Sequence, residues 1–292
     1  MTQHVRALHL TETGKPQEII DDLDVDLPLD HEVLVRTCAC GVCHSDLHFR
    51  QGKWTTFPLP LVLGHECAGV VEKVGPQVTY LKPGDHVVGC LTAFCGECRY
   101  CLTGRMYICE GTGLSRTGKS RARLRYKGKD IAQFVNLSGF ADMLLVHERA
   151  LVRIDPEMPL DVAAAVGCAV TTGVGAAINT ARVRPGETVA VFGCGGVGLN
   201  VIQGARIAGA SRIIAIDRSE KKATDALSRL QGSNMGSNRF RIDIPAYLQM
   251  YKDGRLKLDE LISRRIGLDQ VDNAMVALDS GDGIIRSVAV FG

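Results

Sequence analysis

With 292 residues, 46% of them apolar, the chain is long enough for two domains and can bury a substantial core. Its 34 basic and 32 acidic residues leave a formal net charge of +2, so nothing in the charge balance points to nucleic acid or to a membrane surface. No uninterrupted run of ~18 apolar residues occurs and no apolar signal core follows Met1, so neither a membrane span nor secretion is expected, and the cytoplasm is the expected compartment.

Eleven cysteines stand at Cys38, Cys40, Cys43, Cys67, Cys90, Cys95, Cys98, Cys101, Cys109, Cys168 and Cys194. An odd count with tight C-x-x-C spacing argues for metal binding in a reducing compartment rather than for disulfides. Aromatic residues make up only 5% and glycine numbers 32, which fits a turn-rich β domain joined to a glycine-rich nucleotide fold.

In chain order, Val5 to Leu10 and Glu32 to Arg36 read as strands, with a turn at Thr13-Gly14-Lys15-Pro16 between them. Gly41-Val42-Cys43-His44-Ser45-Asp46-Leu47-His48 follows and opens a short helix, and Gly64-His65-Glu66 answers it. Thiolate and neutral imidazole are ligands that zinc prefers, and a catalytic zinc takes three protein ligands and keeps one position open. Cys43 and His65 supply two, and Cys168 is the candidate third. Taken singly, Cys43 also reads as a small buried hydrophobe and His65 as a satisfied core histidine. Ala68 to Val74 and His86 to Gly89 are further strands around the turn Lys82-Pro83-Gly84-Asp85, and regular strands with Gly/Pro turns suggest a small barrel or sandwich.

Cys95, Cys98, Cys101 and Cys109 then fall within one loop. Four thiolates so spaced read as a closed, structural zinc site; an iron–sulfur cluster is the alternative. Residues 111–136 carry Arg116, Lys119, Arg121, Arg123, Arg125, Lys127 and Lys129, read as a solvated surface loop in preference to an anion site. Leu137 to Val146 returns to strand pattern. Small residues through Asp161–Cys168 and Thr171–Ala177 suit a helix packed tightly on another layer.

The strand Thr188 to Phe192 runs into Gly193-Cys194-Gly195-Gly196-Val197-Gly198, a helix follows through Ala208, and a second strand ends at Asp217. A G-x-G-x-x-G between strand and helix, with an acid ~20 residues on, is the dinucleotide fingerprint in its required context. Its glycines admit the pyrophosphate to the helix N-terminus. Asp217 would accept from the adenosine ribose and repel a 2′-phosphate, favouring NAD, although Arg218 beside it weakens that preference. A strand-end cap is the other reading of Asp217.

These motifs, together with Gly64-His65-Glu66-Cys67-Ala68-Gly69 and Gly167-Cys168-Ala169-Val170-Thr171-Thr172-Gly173, resemble the zinc-dependent medium-chain alcohol dehydrogenases. The resemblance spans residues 5–225 and resumes at about 230–292, nearest to the bacterial and class III-like branch. It implies an α/β chain: a GroES-like β-rich catalytic domain (1–165), a Rossmann-type NAD-binding domain (166–237) and a C-terminal segment (238–292) returning to the catalytic domain. It implies a catalytic zinc on Cys43, His65 and Cys168, with Glu66 behind it as an alternative ligand and Asp46 orienting His65. It implies a structural zinc on Cys95, Cys98, Cys101 and Cys109. Ser45 and His48 would form a proton relay. His44 and Arg286 match pyrophosphate positions, Lys222 an adenosine-ribose position, and Thr172 and Val197 the nicotinamide lining. Trp54 and Leu91 match substrate-pocket walls. The reaction implied is reversible oxidation of an alcohol to an aldehyde or ketone, with NAD as hydride acceptor and a homodimer or homotetramer as the assembly.

The pattern breaks after Ala226. A doubly wound domain has six strands, and each βαβ step takes ~30 residues. Only Leu227, Ser228 and Arg229 separate Ala226 from Leu230 to Ser237, which resembles the family's last Rossmann strand. The segments Ile244 to Tyr251, Gln270 to Ser280 and Ser287 to Phe291 resemble its C-terminal helices and last strand. Three strands with their helices, ~75 residues, are therefore missing, and the Rossmann-type domain is read as truncated. A noncatalytic zinc-binding remnant is the second functional reading. A zinc-free quinone reductase is opposed by Cys43, His65 and Cys168 together.

Overall fold

The computed structural model describes residues 3–111, 114–116, 122–217, 233–280 and 285–292. Alternating patterns over the first half produce two β layers. Strands β1 (Gln3–Leu10), β2 (Glu18–Val25), β7 (Leu124–Tyr126), β8 (Lys129–Gln133) and β4 (Leu61–Val62) close into a barrel in the order β1-β2-β7-β8-β4. A seven-stranded sheet runs β10 (Leu151–Arg153), β6 (His86–Gly89), β5 (Glu66–Val74), β3 (Glu32–Val42), β14 (Ser287–Val290), β13 (Arg264–Ile266), with β9 (Met143–His147) also paired to β3. Phe49, Phe134 and Phe140, all fully buried, fill the space between the layers with Leu8, Leu34 and Leu63.

Strand β3 sets the geometry of the site. It is buried along nearly its whole length, with β5 on one edge and β9 and β14 sharing the other. Register puts Gly41 opposite Glu66 on β5 and opposite Val288 on β14. Three segments far apart in sequence therefore end at one point: the Cys43 turn, the His65-Glu66 corner, and Arg286 entering β14.

The apolar run after residue 160 is one helix, Leu160–Ala181, with wider π turns at Val166–Val170 and Ala176–Ala181. It is long and apolar enough by composition to cross a bilayer, but 78% of that window is buried in the fold, as in a core helix. Its glycines bring it against the helix Gly196–Ile207: a methyl group at Gly173 would strike Val197 O, and one at Gly204 would lie 2.9 Å from Val174 Cα. The expected domain boundary at residues 165 and 166 falls inside this helix.

β11 (Thr188–Phe192) and β12 (Arg212–Ile216) pair in parallel and form a sheet of their own, with the helix Gly196–Ile207 between them in sequence. Among the described residues no third strand joins them. Parallel strands normally have helices on both faces; here Phe192 is 59% and Ile214 37% exposed. These two pairs of alternating positions lie on one face, since Ala190 stands opposite Ile214 and Phe192 opposite Ile216. The expected last Rossmann strand starts at residues 230–232, outside the described residues; Met235–Ser237 is a helical turn.

Two further expectations are corrected. The basic stretch is not simply a solvated loop: residues 124–126 and 129–133 are barrel strands, and Arg116 and Arg123 are buried. Arg116 reaches Glu32 and Asp26, and Arg123 Nε bonds Glu32 Oε1 at 2.7 Å, so the charges offset one another inside the fold. Lys119 and Arg121 lie outside the described residues. The strand expected from Leu137 begins only at Met143. Ser138 has φ +68° and its hydroxyl bonds Val62 O at 2.8 Å, which breaks the ladder.

Candidate active site

Cys43 ends β3 and caps the helix His44–Arg50. Its backbone N–H donates to Asp46 Oδ2 at 3.2 Å, closing the helix start through the third helical residue. Asp46 is fully buried; its Oδ1 accepts from Gly64 N at 3.0 Å and faces His65 Nδ1 at 3.2 Å. A carboxylate there holds the proton on Nδ1 and leaves Nε2 as a bare acceptor. His65 Nε2 is buried with no protein partner among the described residues.

That nitrogen points into a ring of donors. One ligand atom from each of Cys43, His65, Glu66 and Cys168 lies within 4.8 Å of all the others, and all four residues are buried. Glu66 is held from behind: Oε1 accepts from Arg286 Nη1 at 2.8 Å, while Oε2 is buried without a partner. A methyl group at Gly41 would collide with the Glu66 carboxylate, so this carboxylate occupies the volume that the glycine leaves. Arg286 Nη1 also bonds Val42 O at 3.2 Å.

The electrostatics of the pocket follow from this crowding. The Cys43 thiol is held well below its ordinary range, first by the hydrogen bond from Cys168 and then, against burial, by His65. Cys168 is pushed well above its range by the same hydrogen bond and by burial. Burial pushes Glu66 up to about 8, with Arg286 opposing. Two sulfurs, a carboxyl group and an imidazole nitrogen crowd together, a set that suits a divalent cation with nitrogen and sulfur preference.

The second cluster is more open. The sulfurs of Cys95, Cys98, Cys101 and Cys109 also lie within 4.8 Å of one another. Cys109 Sγ accepts from Cys95 N and Gly111 N, each at 3.2 Å, and Cys95 Sγ from Cys98 N at 3.3 Å and Glu97 N at 3.5 Å. Backbone donors aimed at sulfur favour thiolates; amides of Cys101 and Glu110 hold Cys98 down at about 6. Gly96, at φ +84°, makes the turn that points these amides inward.

The glycine turn fits a pyrophosphate. Gly193 has φ +88°, and a methyl at Gly198 would collide with Gly193 O. Nothing lies within 4 Å of the space a side chain at Gly195 would take. Gly196 starts the helix Gly196–Ile207, and Arg286 Nη2 lies 2.7 Å from where its side chain would begin. Thus Arg286 stands between the four-donor ring and the glycine turn. Asp217 ends β12 and accepts from Cys194 N at 2.7 Å. Thr172, half-buried, donates to Met235 Sδ at 3.3 Å, and Val197 is exposed at the start of its helix. Lys222 lies outside the described residues.

His44 is exposed, Ser45 and His48 are half-buried, and the His48 ring sits edge-on to Trp54 at 5.7 Å. Trp54 is 46% exposed. Leu91 packs where the two hydrophobic cores meet. Sequence reasoning missed Gly41 and the Cys90–Thr92–Asn238 chain behind Leu91; the first was legible as the glycine just before Val42-Cys43, the second had no local signal.

Residues 29–156 match the family model for the alcohol dehydrogenase GroES-like domain. The chain is 46% identical over 209 residues to S-(hydroxymethyl)glutathione dehydrogenase of Saccharomyces cerevisiae, which covers 70% of this chain and 54% of the relative. The corresponding protein of Escherichia coli O1:K1 / APEC is 46% identical over 215 residues, covering 72% of this chain and 58% of the relative. The chain thus carries the alcohol dehydrogenase GroES-like domain and is similar to these dehydrogenases over 70% and 72% of its own length. An alcohol dehydrogenase zinc-binding domain protein from Burkholderia ambifaria superposes with a TM-score of 0.90 at 27% identity, covering 100% of both chains. Benzyl alcohol dehydrogenase from Acinetobacter calcoaceticus shares the fold with a TM-score of 0.88 at 24% identity, covering 99% of this chain and 100% of that one. The chain spans little more than half the length of the curated relatives it matches. The likeness to zinc-dependent alcohol dehydrogenases implies zinc and NAD, and both cysteine-bearing clusters can hold metal.

Proposed function

We propose that this chain is an NAD-dependent zinc alcohol dehydrogenase acting reversibly on an alcohol. In this reading Cys43, His65 and Cys168 hold a catalytic zinc with Glu66 beside it, and the four-cysteine lobe holds a structural zinc. The single observation that carries it is the bare, buried Nε2 of His65, fixed by Asp46 and ringed by Cys43, Cys168 and Glu66. When bound, zinc supplies Lewis acidity toward the alcohol oxygen, and NAD supplies the hydride acceptor.

The protein's own part is position and protons. Asp46 keeps the His65 tautomer. Ser45 takes the alcohol proton, and His48, one turn on along the same short helix and beside half-exposed Trp54, releases it to solvent. Arg286, the amides at Gly195 to Val197 and the helix N-terminus offset the pyrophosphate charge, with His44 on the open side. Asp217 takes the ribose hydroxyls; Thr172 and Val197 face the nicotinamide, and Trp54 and Leu91 the substrate. The substrate class supported by the relatives' names is a primary alcohol, hydroxymethyl thiol adducts included.

The exposed face of β11 and β12 favours a second reading, a metal-bearing remnant that does not hold NAD productively. Titration of zinc-loaded protein with NADH, followed by cofactor fluorescence, separates the two. Saturable micromolar binding supports the dehydrogenase. Folded protein with both metals and no NADH binding overturns it.

A further inference from the structure

The residues that follow the truncated sheet make an unusual turn. Met235, Gly236 and Ser237 have φ of +47°, +64° and +49°, three consecutive left-handed residues of which two carry side chains. Such backbone persists only where its surroundings hold it. Here it is held from three sides.

Toward the helix Leu160–Ala181, Thr180 Oγ1 meets Ser233 Oγ at 3.0 Å and Ser237 Oγ at 2.8 Å, and Thr172 Oγ1 donates to Met235 Sδ. Toward the end of β6, fully buried Asn238 donates from Nδ2 to Met235 O at 2.6 Å, and its Oδ1 accepts from Thr92 Oγ1 at 3.3 Å. Thr92 in turn meets Cys90 Sγ at 3.0 Å. The third hold is from the four-cysteine lobe: Asn234 Nδ2 donates to Tyr107 O at 2.8 Å, within the turn Met106–Ile108 that leads into Cys109.

We propose that Asn234 is a positioning residue through which the four-cysteine lobe sets the turn Met235–Ser237, so that metal loading of the lobe tightens cofactor binding at Thr172, whose hydroxyl bonds Met235. This rests on the dehydrogenase reading for what the turn contacts. A metal holding Cys109 fixes the Tyr107 carbonyl, which fixes Asn234. Asn238 anchors the far end, so a shift at Asn234 is passed to Met235 rather than absorbed. Two sites and one element with a preferred strained shape give the coupling its physical content.

The test is a double-mutant cycle between Asn234→Ala and loss of the lobe metal through Cys98→Ser, with zinc stoichiometry measured for each protein. Emptying the lobe raises the NADH dissociation constant about five-fold, the worth of one hydrogen bond. Asn234→Ala does the same in fully loaded protein, and the two together add nothing further. Additive losses, or an Asn234→Ala protein with unchanged affinity, overturn the proposal. Amide exchange at residues 235–238 is read in parallel on loaded protein. Several-fold faster exchange in Asn234→Ala than in the unsubstituted protein supports the coupling, and equal rates overturn it. If the unsubstituted protein binds no NADH, the dehydrogenase reading falls, and the exchange arm still decides whether the lobe sets the turn. If Cys98→Ser does not fold, the same arm decides.

Discussion

Strands β3 and β11 are both rich in apolar residues and both lead into a turn that carries candidate ligand-binding residues, yet they are supported very differently. β3 has partners on both edges and is almost wholly buried, and Cys43 at its end inherits that rigidity. β11 has β12 on one edge and, among the described residues, nothing on the other; Phe192, its last residue, faces outward. The four-donor ring is firmly held because Cys43 directly follows β3, His65 directly precedes β5, Glu66 begins β5, and Cys168 comes from a helix packed on that sheet. The glycine turn keeps its shape from local steric demands, but among the described residues its sheet has no strand beyond β11 and β12 and leaves Phe192 and Ile214 exposed.

The sharpest way to break this comparison is Cys43→Ser. It removes the metal of the buried ring, leaves that of the four-cysteine lobe, and drops alcohol oxidation by ~10³-fold or more, several kcal/mol. Metal analysis that finds both ions still bound would sink the assignment. Next comes a matched pair of truncations. Leu34→Ala in β3 costs ~2–5 kcal/mol in urea unfolding, as a cavity in a packed core does. Ile214→Ala on the bare face of β12 costs well under ~1 kcal/mol. Equal costs would mean that the bare face is covered in solution.

Asp46→Asn is milder. It keeps the shape but loses the charge that orients His65, and metal affinity falls ~10–100-fold in chelator competition. The smallest effect concerns the C-terminal segment. Asp272, in the helix Val271–Ser280, takes two hydrogen bonds from Arg50, at 2.6 and 2.8 Å, and sutures that helix to the zinc-binding half. Burial opposes its ionisation, but Arg50 outweighs burial and holds its pKa below the usual value. A depressed folded pKa gives stability that is present above the unfolded value of ~3.9 and lost as pH falls through the folded one. Asp272→Asn therefore costs ~1–2 kcal/mol at neutral pH and makes the acid limb shallower. An unchanged acid limb in urea midpoints across pH 2–6 would show that the suture contributes nothing.

Much of this was legible in the chain. Ligand chemistry is local at Cys43, at His65-Glu66 and in the four-cysteine loop, because metal geometry restricts the spacing of donors near in sequence. The glycine fingerprint is local because a turn that must leave the left-handed region open and bring Gly198 against Gly193 O tolerates only glycine. Strand and helix periods located β3, β5, β6, β11 and the helix after Gly195 for the same reason. The break in the pattern after Ala226 could be counted, since three residues cannot hold a βαβ step.

What tertiary structure alone decided is where distant residues meet and what they cost or supply there. Arg116 and Arg123 look like a solvated basic run until the barrel wraps them around Glu32. Residues 160–181 show no unbroken apolar run, yet they form one core helix that crosses the expected domain boundary. Gly41 is an ordinary strand glycine until register places Glu66 across from it. The Asn234 and Asn238 anchors join loops more than a hundred residues apart, a pairing that no local pattern encodes. Composition, spacing and periodicity determined which chemistry this chain can carry; long-range register, burial and charge pairing decided which half of it is built to hold its shape.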